Sequence, residues 1–170
     1  MTLPDEPLFP ADAAASSPEI REETESRVRR LVEDQPFAVL CTQGQGQPYG
    51  SLVAYAMTDD LASAVFATPK ATRKFRLLSQ CDHVALLIDN RPHAPREIMQ
   101  ISAVTATGRA TLIDEKDEHA RWASLLTSRH PYLERFVRSD SCGLFHIHIF
   151  RYFHVCHFQE VRQWVPTNRG

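Results

Sequence analysis

The chain has 170 residues, 43% apolar and 24% charged, with a formal charge of −2 at pH 7. That length fits one domain around a single core, and that charge argues against a nucleic-acid partner held by bulk electrostatics. No apolar run reaches the roughly 18 residues that cross a bilayer, and the acidic, proline-bearing start has none of the features of a secretory leader, so a cytoplasmic protein without a membrane partner is expected.

Met1–Ser17 carries Pro4, Pro7 and Pro10 and an Ala/Ser run without periodicity. It reads as a disordered tail, with residues 18–170 forming one domain. A helix follows: Ser17 suits the N-cap, Pro18 the first position, and Glu19, Glu22 and Glu23 the positive end of the dipole. Ile20, Val28, Leu31 and Val32 supply its apolar stripe, and Pro36 ends it.

Strands begin at Phe37. Phe37–Thr42 leads into a Gln/Gly turn, Tyr49–Met57 is the second strand, and Thr58-Asp59-Asp60 turns the chain into a third, Leu61–Ala67. Thr68 then caps a helix with Pro69 first, and Ala71, Phe75 and Leu78 mark its apolar face. His83–Asp89 is a strand, Asn90–Arg96 a loop, and Ile98–Ile113 a long strand with Gly108 as a bulge or bend. Asp114 caps a helix to about Ser128 with Trp122, Leu125 and Leu126 inward, and Pro131–Val137 forms another. Cys142–Gln159 reads as two strands breaking near Arg151, and a tail starts at Glu160. The fold class is mainly β (α+β): an antiparallel closed or split β-barrel with peripheral helices.

The segment Thr68-Pro-Lys-Ala-Thr-Arg-Lys74 places two hydroxyls and three cations at a strand-to-helix junction, where free N–H groups favour an anion. Arg73 suits a phosphate through its bidentate fork, and Lys70 and Lys74 act as point charges. There is neither a P-loop nor a GxGxxG, which disfavours a nucleoside triphosphate or a Rossmann dinucleotide. His146, His148, His154 and His157 lie in one strand-like run, but no carboxylate or cysteine spacing completes a metal signature, so no metal is expected. Cys41, Cys81, Cys142 and Cys156 form no CxxC pair and read as free thiols. No nucleophile elbow is present and the catalytic residues stay unknown.

Three runs, Tyr49–Ala56, Val65–Lys74 and Val84–Asp89, followed by Ser102–Ala110, together resemble the pyridoxamine 5′-phosphate oxidase-like, FMN-binding split-barrel superfamily. The resemblance implies a homodimer of split barrels with FMN at the interface, acting on a small-molecule substrate or electron donor. It implies that Thr68, Thr72, Arg73 and Lys74 hold the flavin phosphate and that Ser51, Leu52 and Val53 run along the flavin; the charge of Lys70 in the same segment joins the phosphate set. The chain departs from the oxidase proper at Leu52, Met57 and Ala103, and Trp164 is followed by Val165-Pro166 instead of the oxidase's substrate signature. It is similar instead to the branch that includes haem-utilisation proteins. An oxidoreductase reading therefore stands beside two alternatives, a haem-binding module and a non-catalytic cofactor-binding protein.

Overall fold

Period-two alternation of apolar residues sets each strand half in and half out of one core. The computed structural model describes residues 17–91, 98–157 and 160–167. In chain order these form α1 (Pro18–Asp34), β1 (Phe37–Gly44), β2 (Gln47–Met57), β3 (Ser63–Pro69), α2 (Arg73–Leu78), β4 (His83–Asp89), β5 (Ala103–Leu112), α3 (Lys116–Arg129), α4 (Glu134–Val137), β6 (Cys142–Cys156) and β7 (Glu160–Trp164). The expected tail, apart from Ser17, and the expected loop from its third residue onward lie outside the described residues.

The strands form one antiparallel sheet in the order β3-β2-β1-β4-β5-β6-β7, and β3 also pairs with β6. That last pairing closes β1–β6 into a six-stranded barrel with β7 outside, a split barrel of mainly β class as expected from the sequence. Inward residues such as Leu40, Val53, Leu86, Val104 and Ile147 fill it, and Val28, Leu31 and Val32 of α1 join the same cluster.

Strand β6 does not break near Arg151. It runs fifteen residues and serves three neighbours: β3 over Cys142–His148, β5 over Phe145–Val155, and β7 over Tyr152–Cys156. A bulge replaces the expected break. Thr107 faces Arg151 while Gly108 faces Ile149, which leaves Phe150 as the extra residue. The bulge bends the strand and keeps its ladder. Gly108 permits this, because a Cβ there would lie 2.1 Å from the His148 carbonyl oxygen.

Several boundaries shift for local reasons. Leu61 sits in a left-handed turn at φ 58°, so β3 starts at Ser63. Glu115, not Asp114, caps α3, its carboxylate accepting from the Asp117 and Glu118 amides. Leu125 is only half-buried, while Trp122 and Leu126 are buried. The tail expected from Glu160 is a strand, because Trp164 packs against the Tyr152 ring at 5.3 Å and is 8% exposed.

Tyr55 ties two helices to the barrel. Its hydroxyl lies 2.9 Å from the Gln35 carbonyl and 3.1 Å from that of Val32, at the end of α1. The Arg129 guanidinium donates to the Gln35 carbonyl at 2.8 Å and lies 4.8 Å over the Tyr55 ring. His130, 2% exposed, sets Nε2 2.9 Å from the Tyr55 carbonyl. Burial pushes the Tyr55 pKa up to about 12, so the phenol stays a donor.

Gly108→Ala should cost about 2–3 kcal/mol, because its methyl meets backbone that cannot move without undoing the bulge. A urea unfolding midpoint unchanged from wild type, at equal slope, would count against this account.

Candidate functional site

The closing pairing with β6 pulls β3 away from β2. Strand β2 pairs with β1 along Gln47–Ala54 but with β3 only at Tyr55–Met57. The end of β3 instead lies on β6, Thr68 opposite Gly143 and Pro69 opposite Cys142. A split therefore opens between the first half of β2 and the Thr68–Lys74 segment.

Thr68 does not cap the helix. It lies within β3, 1% exposed, and Pro69 ends the strand. The cap is Thr72, whose Oγ1 accepts from the Phe75 amide at 3.3 Å, lies 3.0 Å from Thr68 Oγ1 and donates to the Pro69 carbonyl at 2.8 Å. One tight turn, closed by the Thr72 amide on the Pro69 carbonyl, separates strand from helix. The helix is accordingly short, Arg73–Leu78, and Ala71 lies exposed outside it; Phe75 and Leu78 make its inner face, Phe75 edge-on to Phe145 at 5.5 Å.

Lys74 spans the split. Its Nζ donates to the Leu52 carbonyl on β2 at 3.3 Å. Partial burial lowers its pKa below the usual lysine value. Arg73 turns the other way: its guanidinium lies 5.2 Å over the Tyr49 ring, and with Arg76, Gly44, Gln45 and Gln47 it lines a cavity of about 400 Å³. The Lys70 amide donates to the Ser141 carbonyl at 2.8 Å, which sets this residue beside the start of β6. So the Thr68 and Thr72 hydroxyls meet each other, Lys74 reaches from the same segment to β2, Arg73 faces Tyr49, and Lys70 lies toward β6.

Along β2, Leu52 points out of the barrel and is 67% exposed. Val53 points inward and is 4% exposed, so only its backbone faces the split. Ser51 Oγ is buried without a hydrogen-bond partner. Across the outside of the sheet the register makes one row: Leu52 beside Val39, Val39 beside Leu87, Leu87 beside Thr105 and Thr105 beside Phe153.

A second group on this outer face escaped the sequence reading. His83 and Cys41 line a cavity of about 280 Å³. Asp82 Oδ1 lies 3.2 Å from His83 Nδ1, and its Oδ2 accepts from Arg109 Nε at 2.7 Å. His83 Nε2 is buried without a partner. Only the adjacent Asp-His pair marked this group in the sequence, and that pair is too common to single out.

The four histidines of β6 and its turn do not form one cluster. His146 stacks on Trp122 at 4.4 Å and meets Ser63 Oγ at 2.9 Å, while His148 is exposed. His154 is buried with Nε2 2.7 Å from Ser102 Oγ, and His157 lies in the turn after β6. Burial holds the pKa of His146 and His154 below the usual histidine value, so both stay neutral at pH 7. Among the described residues no helix is long and apolar enough to cross a membrane.

Among curated proteins, none matches the chain in sequence. Solved structures share the fold. A haem-binding protein from Mycobacterium smegmatis matches with TM-score 0.71 and 17% identity, over 81% of this chain and 55% of its own. The haem storage protein HutZ from Vibrio cholerae matches with TM-score 0.61 and 13% identity, over 84% and 94%. A protein related to general stress protein 26 from Clostridium acetobutylicum matches with TM-score 0.67 and 12% identity, over 85% and 95%. The chain thus spans about half the length of the mycobacterial protein. A sequence profile covers residues 24–156, from within α1 to the end of β6 and so across the whole barrel and its split, and by that match the chain belongs to the pyridoxamine 5′-phosphate oxidase family.

Proposed function

We propose that the chain is an FMN-binding flavoprotein, working as a homodimer and acting as an oxidoreductase on a small molecule. The observation that carries this reading is the split itself. The segment facing the opened flank of β2 carries a hydroxyl pair, Thr68 and Thr72, and the ammonium of Lys74, which reaches the Leu52 carbonyl. Such a group suits one phosphate, and the bare stretch of β2 beside it suits a flat ring. One phosphate site with no adenosine-binding motif favours FMN over FAD.

The residues present fit the group. Ser51 Oγ is buried and unpartnered on the face of β2 that it shares with Val53, and Gly50 adds no side chain above β2. When bound, the flavin supplies the electron-transfer chemistry. The protein would bind and orient it: Thr68 and Thr72 would turn their hydroxyl protons from each other and from the Pro69 carbonyl to phosphate oxygens, Lys74 and Arg73 would neutralise them, and the backbone of Ser51–Val53 would lie along the ring. The row Leu52, Val39 and Leu87 offers an apolar surface to a second copy, which would close the ring side from water.

A specific observation favours a second reading, haem on the same outer face. His83 Nε2 is buried and free while Asp82 stands 3.2 Å from Nδ1. Histidines that bind metals commonly donate their other ring N–H to a carboxylate in this way. The haem-binding neighbours share the fold, and in this reading His83 is the iron ligand.

Arg73→Ala tests the phosphate contact. Hydrogen bonds to charged groups are worth about 1.5–3 kcal/mol, and exposure places Arg73 at the low end, so FMN affinity should fall about tenfold. Riboflavin should bind both proteins alike. Equal FMN affinity in the two at one salt concentration would remove Arg73 from the site. Leu87→Glu should convert a dimer to a monomer by light scattering and weaken FMN together with it; a monomeric wild type at micromolar concentration would sink the dimer. Added haemin should give a Soret band that His83→Ala shifts if the second reading holds. Bound flavin with no haem uptake would leave the first reading standing alone.

A further inference from the structure

The turn that carries the chain from β6 to β7 gathers three different metal-binding side chains. Cys156 ends β6, His157 follows it and Glu160 opens β7. Cys156 Sγ, His157 Nδ1 and a Glu160 carboxylate oxygen all lie within 4.8 Å of one another. Cys156 Sγ is 3.7 Å from Glu160 Oε2, and His157 Nδ1 is 3.5 Å from the same oxygen.

Those spacings can be set against the demands of an ion. Zinc binds sulfur at about 2.3 Å, nitrogen at about 2.0–2.1 Å and oxygen at about 2.0–2.2 Å. At tetrahedral angles such bonds separate sulfur from oxygen by about 3.5 Å and nitrogen from oxygen by about 3.4 Å. The two spacings to Glu160 Oε2 therefore stand within a few tenths of an ångström of those in a bound site, and Cys156 Sγ and His157 Nδ1 lie within 4.8 Å of each other. A thiol, an imidazole and a carboxylate make a donor set suited to a borderline-soft divalent ion.

The surroundings fit as well. Arg162 Nε donates to Glu160 Oε1 at 2.6 Å and Arg162 Nη1 to Glu23 Oε2 at 2.6 Å, which orients the Glu160 carboxylate and leaves Oε2 turned to Cys156 and His157. Burial holds the Cys156 thiol above its usual pKa in the metal-free chain, and Arg27 Nη1, 3.5 Å from Sγ, works against that. Two arginines beside a cation would repel it if they stood alone. Here Glu23 and Glu160 offset them, and a Cys156 thiolate takes one of the two charges of the ion. His157, 60% exposed, leaves an open side. Cys156 and His157 also line a cavity of about 830 Å³ with Arg27, Arg30 and Asn90.

We propose that Cys156, His157 and Glu160 form a zinc site with three protein ligands and a fourth position open to that cavity. Binding forms bonds from zinc to Sγ, Nδ1 and Oε2, and the thiol proton leaves to solvent. Three protein ligands and one exchangeable position is the pattern of zinc sites that bind water or a small anion, and Arg27 and Arg30 on the cavity wall suit an anion there. The site shares no residue with the proposed flavin site, so either proposal can fail without the other.

The test uses the full chain, stripped with a chelator and then dialysed against one equivalent of Zn²⁺ or Co²⁺. One zinc per chain should remain, measured by elemental analysis. Cobalt should give the thiolate-to-cobalt band in the near ultraviolet and the visible bands of tetrahedral geometry. Cys156→Ser should remove the thiolate band, and Glu160→Gln should weaken zinc by more than the 10- to 100-fold loss typical of losing an outer partner. His148→Ala, which changes an exposed histidine outside the site, should leave both readings as in wild type. Circular dichroism melting checks that each variant folds. If Cys156→Ser does not fold, the cobalt spectrum of wild type with the zinc affinity of Glu160→Gln decides. No retained metal in wild type, or zinc and cobalt binding unchanged in Cys156→Ser and Glu160→Gln, overturns the proposal.

Discussion

Strand β6 has three neighbours, and the shape of the molecule follows from how it shares its edges. One edge carries β5 almost throughout. The other is divided, with β3 on the first half and β7 on the second. A flat strand cannot follow both neighbours around a closed barrel, and the Phe150 bulge opposite Gly108 supplies the bend. Because β3 is drawn onto β6, it leaves β2 after three pairs, and the split opens where Lys74 reaches Leu52. Because β7 takes the remaining half-edge, Glu160 comes back beside Cys156. The proposed flavin site and the proposed zinc site are two consequences of one division of edges.

Much of this was legible in the sequence, for physical reasons. Period-two runs in β1, β2 and β4 made those strands plain, and the Ser17-Pro18 signal fixed the start of α1. The cations and hydroxyls of Thr68–Lys74 were readable because they sit close together in sequence. What could not be read was direction. Thr68 and Thr72 are equally good caps in isolation, and the choice fell to Thr72 because β6 holds Thr68 and Pro69 in strand. Val53 was grouped with Ser51 and Leu52, yet the strand period turns it into the core.

The misses in the last third of the chain share one cause. A bulge removes the period-two signal at the point where it matters, so β6 looked like two strands. Strand β7 is short and carries Glu160, Arg162 and Gln163, a composition without an apolar pattern beyond Val161 and Trp164. Its strand character comes from pairing, and pairing with β6 depends on the turn around His157. That turn holds a non-glycine residue at φ 47°. Left-handed backbone is uncommon outside glycine, although histidine enters it more readily than most residues, and it persists where neighbouring pairs over-determine it. The ladder of β7 on β6 and the Arg162 bridge to Glu23 on α1 supply those constraints.

The proposed flavin site also explains why the row outside the barrel matters. Leu52 is the most exposed large apolar residue described, and it sits on the strand whose carbonyl Lys74 holds. Covering such a residue fully is worth about 1.5–3 kcal/mol in removed apolar surface. A second copy seated on Leu52, Val39 and Leu87 would gain that energy. It would also deepen the burial that already lowers the Lys74 pKa. A cation losing water needs an anion beside it, and a phosphate between Thr68, Thr72 and Lys74 provides one. In the proposed dimer, closure and phosphate binding would be coupled through Lys74: each would lower the cost of the other, so cofactor should stabilise the dimer and the dimer should retain cofactor.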